Sequence, residues 1–266
     1  MDSRWRVVCS SSTDEIIMLP KTAIITGGTR GIGRGIVDRF HKDGWNIVTC
    51  SRGQRPKDLN EKIIWEQADV GNINDTDRVI EKTISTFGVI DLLVNNAGIQ
   101  VEKNIMDSTD DDWDLVIGAN CRGVFNMCRA SLEHMTKTGG SIVNISSISA
   151  NASDPSMALY NASKSFVNGL TRSIATDHGP TIRCNAVCPG WVMTEMADVV
   201  FELASNPDVA KKDALSRHPV GRFGKPEDIA NMVAWLASDE SGYVSGQLFT
   251  VDGGLTAASP INPGLF

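Results

Sequence analysis

The sequence predicts an α/β protein of one domain, a doubly wound, mostly parallel sheet of about seven strands with helices on both faces. Three observations carry that prediction. From Lys21 onward, short β-branched runs alternate with longer segments of helical period, the pattern of strands joined by crossover helices. A glycine-rich turn, Thr26-Gly27-Gly28-Thr29-Arg30-Gly31-Ile32-Gly33, separates the first clear strand from an amphipathic segment. At 266 residues, 41% hydrophobic and 21% charged, the chain is long enough to bury one sizeable core without dividing.

Taken in order, residues 1–17 show no periodicity before Met18-Leu19-Pro20-Lys21 opens a strand pattern. They read as a tag, an alternative start or a disordered tail, and residues 18–266 as the domain. Strands are expected at 22–26, 46–50, 63–67, 92–95, 141–145, 181–187 and 248–251. Helices are expected at 32–42, 73–87, 110–136, 159–177 and 226–237. The last opens with Pro226-Glu227-Asp228, where a missing N–H is harmless and negative charge meets the helix dipole. Residues 54–62 are too few for a crossover helix and hold a turn or a single helical turn.

Composition excludes several function classes. The net charge is −7 with scattered Lys and Arg, so no basic stripe offers itself to nucleic acid. No stretch has the uninterrupted apolar length of a membrane span, and the first 12 residues lack the apolar core of a signal peptide. A cytoplasmic protein is the expectation. Cys9, Cys50, Cys121, Cys128, Cys184 and Cys188 form no Cys-x-x-Cys pair and read as reduced, mostly buried thiols. His41, His134, His178 and His218 show no ligand spacing, so no metal site is expected.

Two stretches carry chemistry. Glycines at 27, 31 and 33 let the backbone turn tightly and approach a diphosphate, whose charge then meets the positive end of the next helix. Tyr160 and Lys164 lie four residues apart, so on a helix the phenol and the ammonium share a face. A phenol of reference pKa about 10 is a poor acid or base at neutral pH, and a cation beside it favours the phenolate. Alone, such a pair is most often two surface neighbours. Its meaning comes from the other motifs.

Those motifs fall in a fixed order: Thr26-Gly27-x-x-x-Gly31-x-Gly33, Asp69-Val70, Asn95-Asn96-Ala97-Gly98, Asn120, Ser147, Tyr160 with Lys164, and Pro189-Gly190-Trp191-Val192-Met193-Thr194. With them, residues 21–255 resemble the short-chain dehydrogenase/reductases, a family of Rossmann-like fold, and the tail from Pro219 to Asp228 with Val251-Asp252-Gly253-Gly254 is similar to the ketoacyl-reductase-like branch. The resemblance implies an oxidoreductase that interconverts a ketone or aldehyde and a secondary alcohol by hydride transfer. It makes Tyr160 the general acid/base, and has Lys164 lower its pKa and hold the nicotinamide ribose. It gives Ser147 a hydrogen bond to the substrate oxygen, and has Asn120 interrupt its helix and hold a water behind Lys164. It places the cofactor on Gly27, Thr29, Arg30, Gly31, Ile32 and Gly33, on Asp69 and Val70 at the adenine, on Asn96, Ala97 and Gly98, and on Pro189, Gly190, Val192 and Thr194 near the carboxamide. Asn95 reads as a tie between strands.

Family members that prefer NAD carry an acid at the end of the second strand. Here Ser51 and Arg52 stand there, with Arg30 in the glycine-rich turn, so the resemblance implies NADP(H) over NAD(H). It also implies a homotetramer, a small carbonyl or alcohol substrate, and a lid near 195–216 whose apolar Met196, Val199, Val200, Phe201 and Leu203 either cover a ligand or pack onto the core. Ser149, Asn151, Ser153 and Asp154 suit a hydroxylated compound. A 3-oxoacyl thioester is the alternative substrate, although Thr138 and His178-Gly179 stand where related reductases grip an acyl carrier with arginines. A dinucleotide-binding protein without turnover is the alternative of another class.

Overall fold

The computed structural model describes residues 5–9, 16–202 and 204–258. In chain order it contains β1 (Trp5–Cys9), β2 (Ile16–Pro20), β3 (Thr22–Thr26), α1 (Gly31–Lys42), β4 (Asn46–Ser51), β5 (Ile64–Gln67), α2 (Ile73–Phe87) and β6 (Leu92–Asn95). There follow α3 (Asp110–Ile117), α4 (Gly123–Thr138), β7 (Gly140–Ile145), α5 (Ala158–His178), β8 (Ile182–Pro189), α6 (Glu195–Glu202), α7 (Pro207–Ser216), α8 (Pro226–Ala237) and β9 (Leu248–Val251). Seven strands pair in the order β5-β4-β3-β6-β7-β8-β9, every neighbour parallel. The order reverses beside β3, which opens a crevice between the carboxyl ends of β3 and β6.

β3 shows why this sheet forms. All five of its residues are buried, because helices cover both faces and a strand with no wet side reads as a continuous apolar run. Ala23 and Ile25 face one core with Ile36, Val37 and Phe40 of α1 and Ile229 and Val233 of α8. Ile24 faces the other with Val79 of α2, Met127 of α4 and Val167 of α5. Each such fully buried aliphatic side chain contributes about 1.5–3 kcal/mol. α1 and α8 approach so closely that a Cβ on Gly35 would stand 2.5 Å from Pro226 Cβ.

The helix ends follow from local chemistry. The Asn72 side chain accepts from Asn74 N to open α2, and Thr109 and Asp112 form a reciprocal capping box at α3. At α8, the Asp228 carboxylate accepts the Lys225 N–H at 2.7 Å and both arms of Arg222 at 2.7 and 2.8 Å. Residues 54–62 make turns and no helix.

Three expectations need correction. The helix read from periodicity at 110–136 is two helices, broken at Asn120 as the resemblance implies by a π-helical turn, Gly118–Arg122, because the Asn120 amide is drawn to Ile99 and Ser163. The lid region, for which no helix was expected, forms α6 and α7; Asn206 caps α7 by accepting from Val209 N, with Pro207 in its first turn. Of the readings of residues 1–17 as a tag, an alternative start or a disordered tail, disorder fails for the described part, since Trp5–Cys9 pairs antiparallel with Ile16–Pro20. Its run of tryptophan, valines and isoleucines has the composition of a strand, and Arg6 lies 4.0 Å from Asp91. Residues 1–4 and 10–15 of that segment, Leu203, and the side chains of Met196, Val199 and Val200 lie outside the described residues.

Candidate active site

The carboxyl ends of β3, β4, β6, β7 and β8 open into a cleft of about 900 Å³. Gly27, Thr29, Arg30, Gly31, Ile32 and Gly33 line its start, followed by Ser51, Arg52, Asp69 and Val70. Asn96, Ala97 and Gly98 lie across from them, and Pro189, Gly190, Val192 and Thr194 close the far side with Ser147, Tyr160 and Lys164. Among the catalytic and cofactor-binding residues assigned from sequence, Asn120 alone does not line the cleft and is buried behind it at 1% exposure; of the polar residues expected at the substrate, Ser149 and Asp154 line it and Asn151 and Ser153 do not.

The glycine-rich turn is pinned from β6. Asn96 Nδ2 donates to Thr26 O at 2.9 Å and to Gly27 O at 3.2 Å, and Thr26 Oγ1 accepts from the N–H groups of Asn96 and Ala97, each at 3.0 Å. This packing leaves no room at Gly33, where a Cβ would stand 2.2 Å from Gly27 O. Gly27 has φ +67°, a left-handed conformation that glycine adopts without strain. The N-cap residue of α1, Arg30, makes no side-chain cap, so the first N–H groups of a twelve-residue helix face the cleft without an internal partner. A dinucleotide diphosphate fits that cradle.

At the carboxyl end of β4, Ser51 Oγ accepts from Trp65 Nε1 at 3.1 Å, and Arg52 is exposed. The Asp69 carboxylate accepts from Gly71 N at 2.9 Å. Arg30 reaches across the cleft mouth to Glu195, the first residue of α6, with 3.0 Å between Nη1 and Oε2. Phe201 of α6 stacks on Trp191 with ring centroids 5.0 Å apart and lies 5.7 Å from Phe223. The described apolar part of the lid thus packs onto the protein.

At the other end α5 presents Tyr160 and Lys164 on one face, the Lys164 ammonium 5.6 Å from the centre of the Tyr160 ring. Lys164 is buried and donates to Ile145 O at 2.9 Å. Burial lowers its pKa to about 8, against a small upward pull from Cys121 and Cys188. Burial also raises the Tyr160 phenol; Ser147 draws it down and the Asp154 charge pushes it further up. Burial is the largest of these causes, and the Lys164 ammonium, bonded to Ile145 O, keeps its charge beside the phenol. Asn120 Nδ2 donates to Ile99 O at 2.8 Å and Ser163 Oγ at 2.9 Å, while its Oδ1 accepts from Ile99 N at 2.8 Å. A Cβ on Gly98 would lie 3.3 Å from Asn120 Oδ1 and 3.6 Å from Lys164 Nζ, so both side chains converge on that glycine.

Ser147 begins a short chain of hydrogen bonds. Its hydroxyl donates to Ser149 Oγ at 3.0 Å, and Ser149 Oγ donates to Asp154 Oδ2 at 2.6 Å. Sequence reasoning did not place Gln100, Glu102 and Glu195 on the cleft wall, although they do line it. The first two directly follow Asn95-Asn96-Ala97-Gly98, and that adjacency was the signal available.

This constellation defines a dinucleotide-binding oxidoreductase class, and the comparisons agree. Residues 27–256 match the family model described as Enoyl-(Acyl carrier protein) reductase. The chain is 39% identical over 248 residues to the 3-oxoacyl-(acyl-carrier-protein) reductase FabG of Thermotoga maritima, covering 88% of this chain and 97% of that protein. It is 36% identical to the FabG of Staphylococcus aureus, with 89% and 98% covered. Among solved structures it is similar to the ligand-free aldohexose dehydrogenase of Thermoplasma acidophilum, at TM-score 0.85 and 35% identity over 91% of this chain and 96% of that one. The chain belongs to the short-chain dehydrogenase/reductase family and is an oxidoreductase acting on CH–OH groups.

Proposed function

We propose that the protein uses NADP(H) to interconvert a small carbonyl compound and its alcohol, with Tyr160 exchanging the proton, Ser147 holding the substrate oxygen, and Lys164 and Asn120 supporting Tyr160 from behind. The observation that carries this is the single cleft that runs from the glycine-rich turn to Ser147, Tyr160 and Lys164. Bound nicotinamide supplies or accepts the hydride there. The protein's own part is to orient the substrate oxygen and move its proton.

In reduction the neutral Tyr160 phenol gives its proton to the substrate oxygen as charge develops on it. Oxidation reverses this step. Lys164 holds a cation within the buried wall and Asn120 fixes the π-helical turn behind it. For the cofactor, Arg52 and Arg30 at the cleft mouth, with Ser51 in place of an acid, favour a 2′-phosphate.

On substrate, Ser149, Asp154 and Gln100 make a polar wall suited to hydroxylated compounds. The FabG relatives supply the alternative, a 3-oxoacyl thioester. We further propose a cytoplasmic homotetramer as the working form. A role without turnover gains no support, since both Tyr160 and Lys164 are present and line the cleft.

The test is consumption of NADPH and NADH with a 3-oxobutyryl thioester, an aldonolactone and cyclohexanone, and the reverse reaction with the matching hydroxy thioester, aldohexose and cyclohexanol. Turnover that prefers NADPH and vanishes in Tyr160→Phe supports the reading; no turnover of any pair with either cofactor overturns it. Light scattering at micromolar concentration checks assembly, and a monomer mass overturns the tetramer.

A further inference from the structure

Ser147 is not an isolated hydroxyl. Asp154 sits in the loop between β7 and α5, where its backbone carbonyl accepts from Asn161 Nδ2 at 3.0 Å and its carboxylate accepts the Ser149 hydroxyl at 2.6 Å. A carboxylate can only accept, so the one proton of Ser149 is committed to Asp154. Ser149 Oγ is then an acceptor toward Ser147, which fits the 3.0 Å bond in which Ser147 donates to it. The Ser149 N–H occupies a second site on Ser147 Oγ at 3.1 Å. Ser147 and Ser149 line the cleft but are only 8% and 4% exposed, so little water competes for these bonds.

We propose that Asp154 is a positioning residue that acts through Ser149 to fix the polarity of Ser147, so that Ser147 presents a lone pair to the cleft and the resting site is complementary to a substrate hydroxyl rather than a carbonyl. The inference rests on the reading of Ser147 as the residue that holds the substrate oxygen. An alcohol oxygen accepts from the Tyr160 phenol and donates to Ser147, using both groups as they stand. A carbonyl oxygen only accepts. To bind it with two hydrogen bonds, Ser147 must turn its proton away from Ser149, and a buried acceptor bonded toward a charge is then left unmet. Burial is the main cause that keeps the Tyr160 phenol neutral, the state in which it donates, and the Asp154 charge adds to it against the downward pull of Ser147.

The ratio of kcat/KM values for the two directions is tied to the equilibrium constant of the reaction, so the readout has to be ground-state binding. The experiment titrates two ternary complexes that cannot react, enzyme with reduced cofactor and alcohol, and enzyme with oxidised cofactor and ketone, using the pair from the panel above that turns over fastest. Asp154→Asn can donate to or accept from Ser149 and so lets the chain run either way. It is expected to raise the ratio of the alcohol Kd to the ketone Kd by about tenfold, the scale of one hydrogen bond in a charge-linked chain. Ser149→Ala removes the link and should move the ratio the same way. Adding Asp154→Asn to Ser149→Ala should then change it by less than about twofold, since the path is already cut.

Melting temperatures of all variants serve as the control, and Ser149→Ala alone tests the idea should Asp154→Asn fold poorly. Equal loss of both ligands, an unmoved ratio, or the same Asp154→Asn effect with and without Ser149 overturns the inference. Turnover retained in Ser147→Ala would overturn the reading on which it rests; a dead Ser147→Ala beside an unmoved ratio overturns the inference alone.

Discussion

Arg30 is the most informative residue to perturb, because the structure shows it already engaged. Its guanidinium meets Glu195 at 3.0 Å while the two side chains remain 73% and 69% exposed. Exposed pairs of this kind are worth about 0–1 kcal/mol, whereas charge-assisted hydrogen bonds of a guanidinium to a phosphate are worth about 1.5–3 kcal/mol. The phosphate should win the competition, with the Glu195 pair subtracting a small tax. Glu195→Gln is therefore expected to tighten NADPH binding by up to about fivefold, the equivalent of 1 kcal/mol. Arg30→Ala should weaken NADPH by about 10- to 100-fold. NADH affinity should move by less than about twofold in both variants, because on the proposed reading the contact is to the 2′-phosphate. Fluorescence titration of each reduced cofactor onto the protein, without substrate, measures all four changes. Equal weakening of NADPH and NADH by Arg30→Ala would refute the argument and make Arg30 a partner of the diphosphate. No change in either would leave Arg30 a solvated charge paired with the lid.

Tyr160→Phe is expected to cut kcat by at least about 100-fold, the lower range of general acid–base contributions, while leaving NADPH affinity nearly intact; turnover above a few per cent of wild type would dismiss Tyr160 as the proton carrier. Burial holds Lys164 at about 8 against an ordinary 10.5, so between those pH values the unfolded chain keeps a proton that the folded chain has released. Folding stability should then rise with pH across that window, and denaturant titrations of Lys164→Met should lack the rise. Asn95 Nδ2 donates to Asn144 Oδ1 at 2.8 Å and to Cys128 Sγ at 3.2 Å within the core. Asn95→Leu strands the Asn144 carbonyl and should cost about 1–3 kcal/mol in a denaturant melt, with cofactor affinity unchanged.

The sheet was legible because its information is local. A strand covered on both faces must be apolar at nearly every position, and the continuous run Ala23-Ile24-Ile25 says so without reference to the rest of the fold. The cleft was legible for a related reason: its residues sit at strand ends, and a strand end is marked by the glycine, asparagine or proline that breaks the run, as at Gly27, Asn96 and Pro189. What escaped depends on partners far along the chain. The break at Asn120 came with the family resemblance and not from local pattern, because its π-helical turn depends on that amide bonding the backbone of Ile99 and the hydroxyl of Ser163, which lie 21 and 43 residues away. α7 is different, since Asn206-Pro207-Asp208 carries the same signs of a helix start that were read at 225–228; with every residue of α7 at least partly exposed, no apolar stripe marked it.

The Tyr160 pKa shows the limit most clearly. Spacing of four residues puts Lys164 and Tyr160 on one face, but spacing does not say where a flexible ammonium ends. It ends on Ile145 O, at the carboxyl end of β7, while burial raises the phenol, Ser147 draws it down and the Asp154 charge pushes it up. A neutral phenol is a loaded proton donor. On the proposed reading that proton is the one handed to a substrate oxygen, and the ammonium, with three N–H donors, keeps its charge and two donors beside the phenol while bonded to Ile145 O.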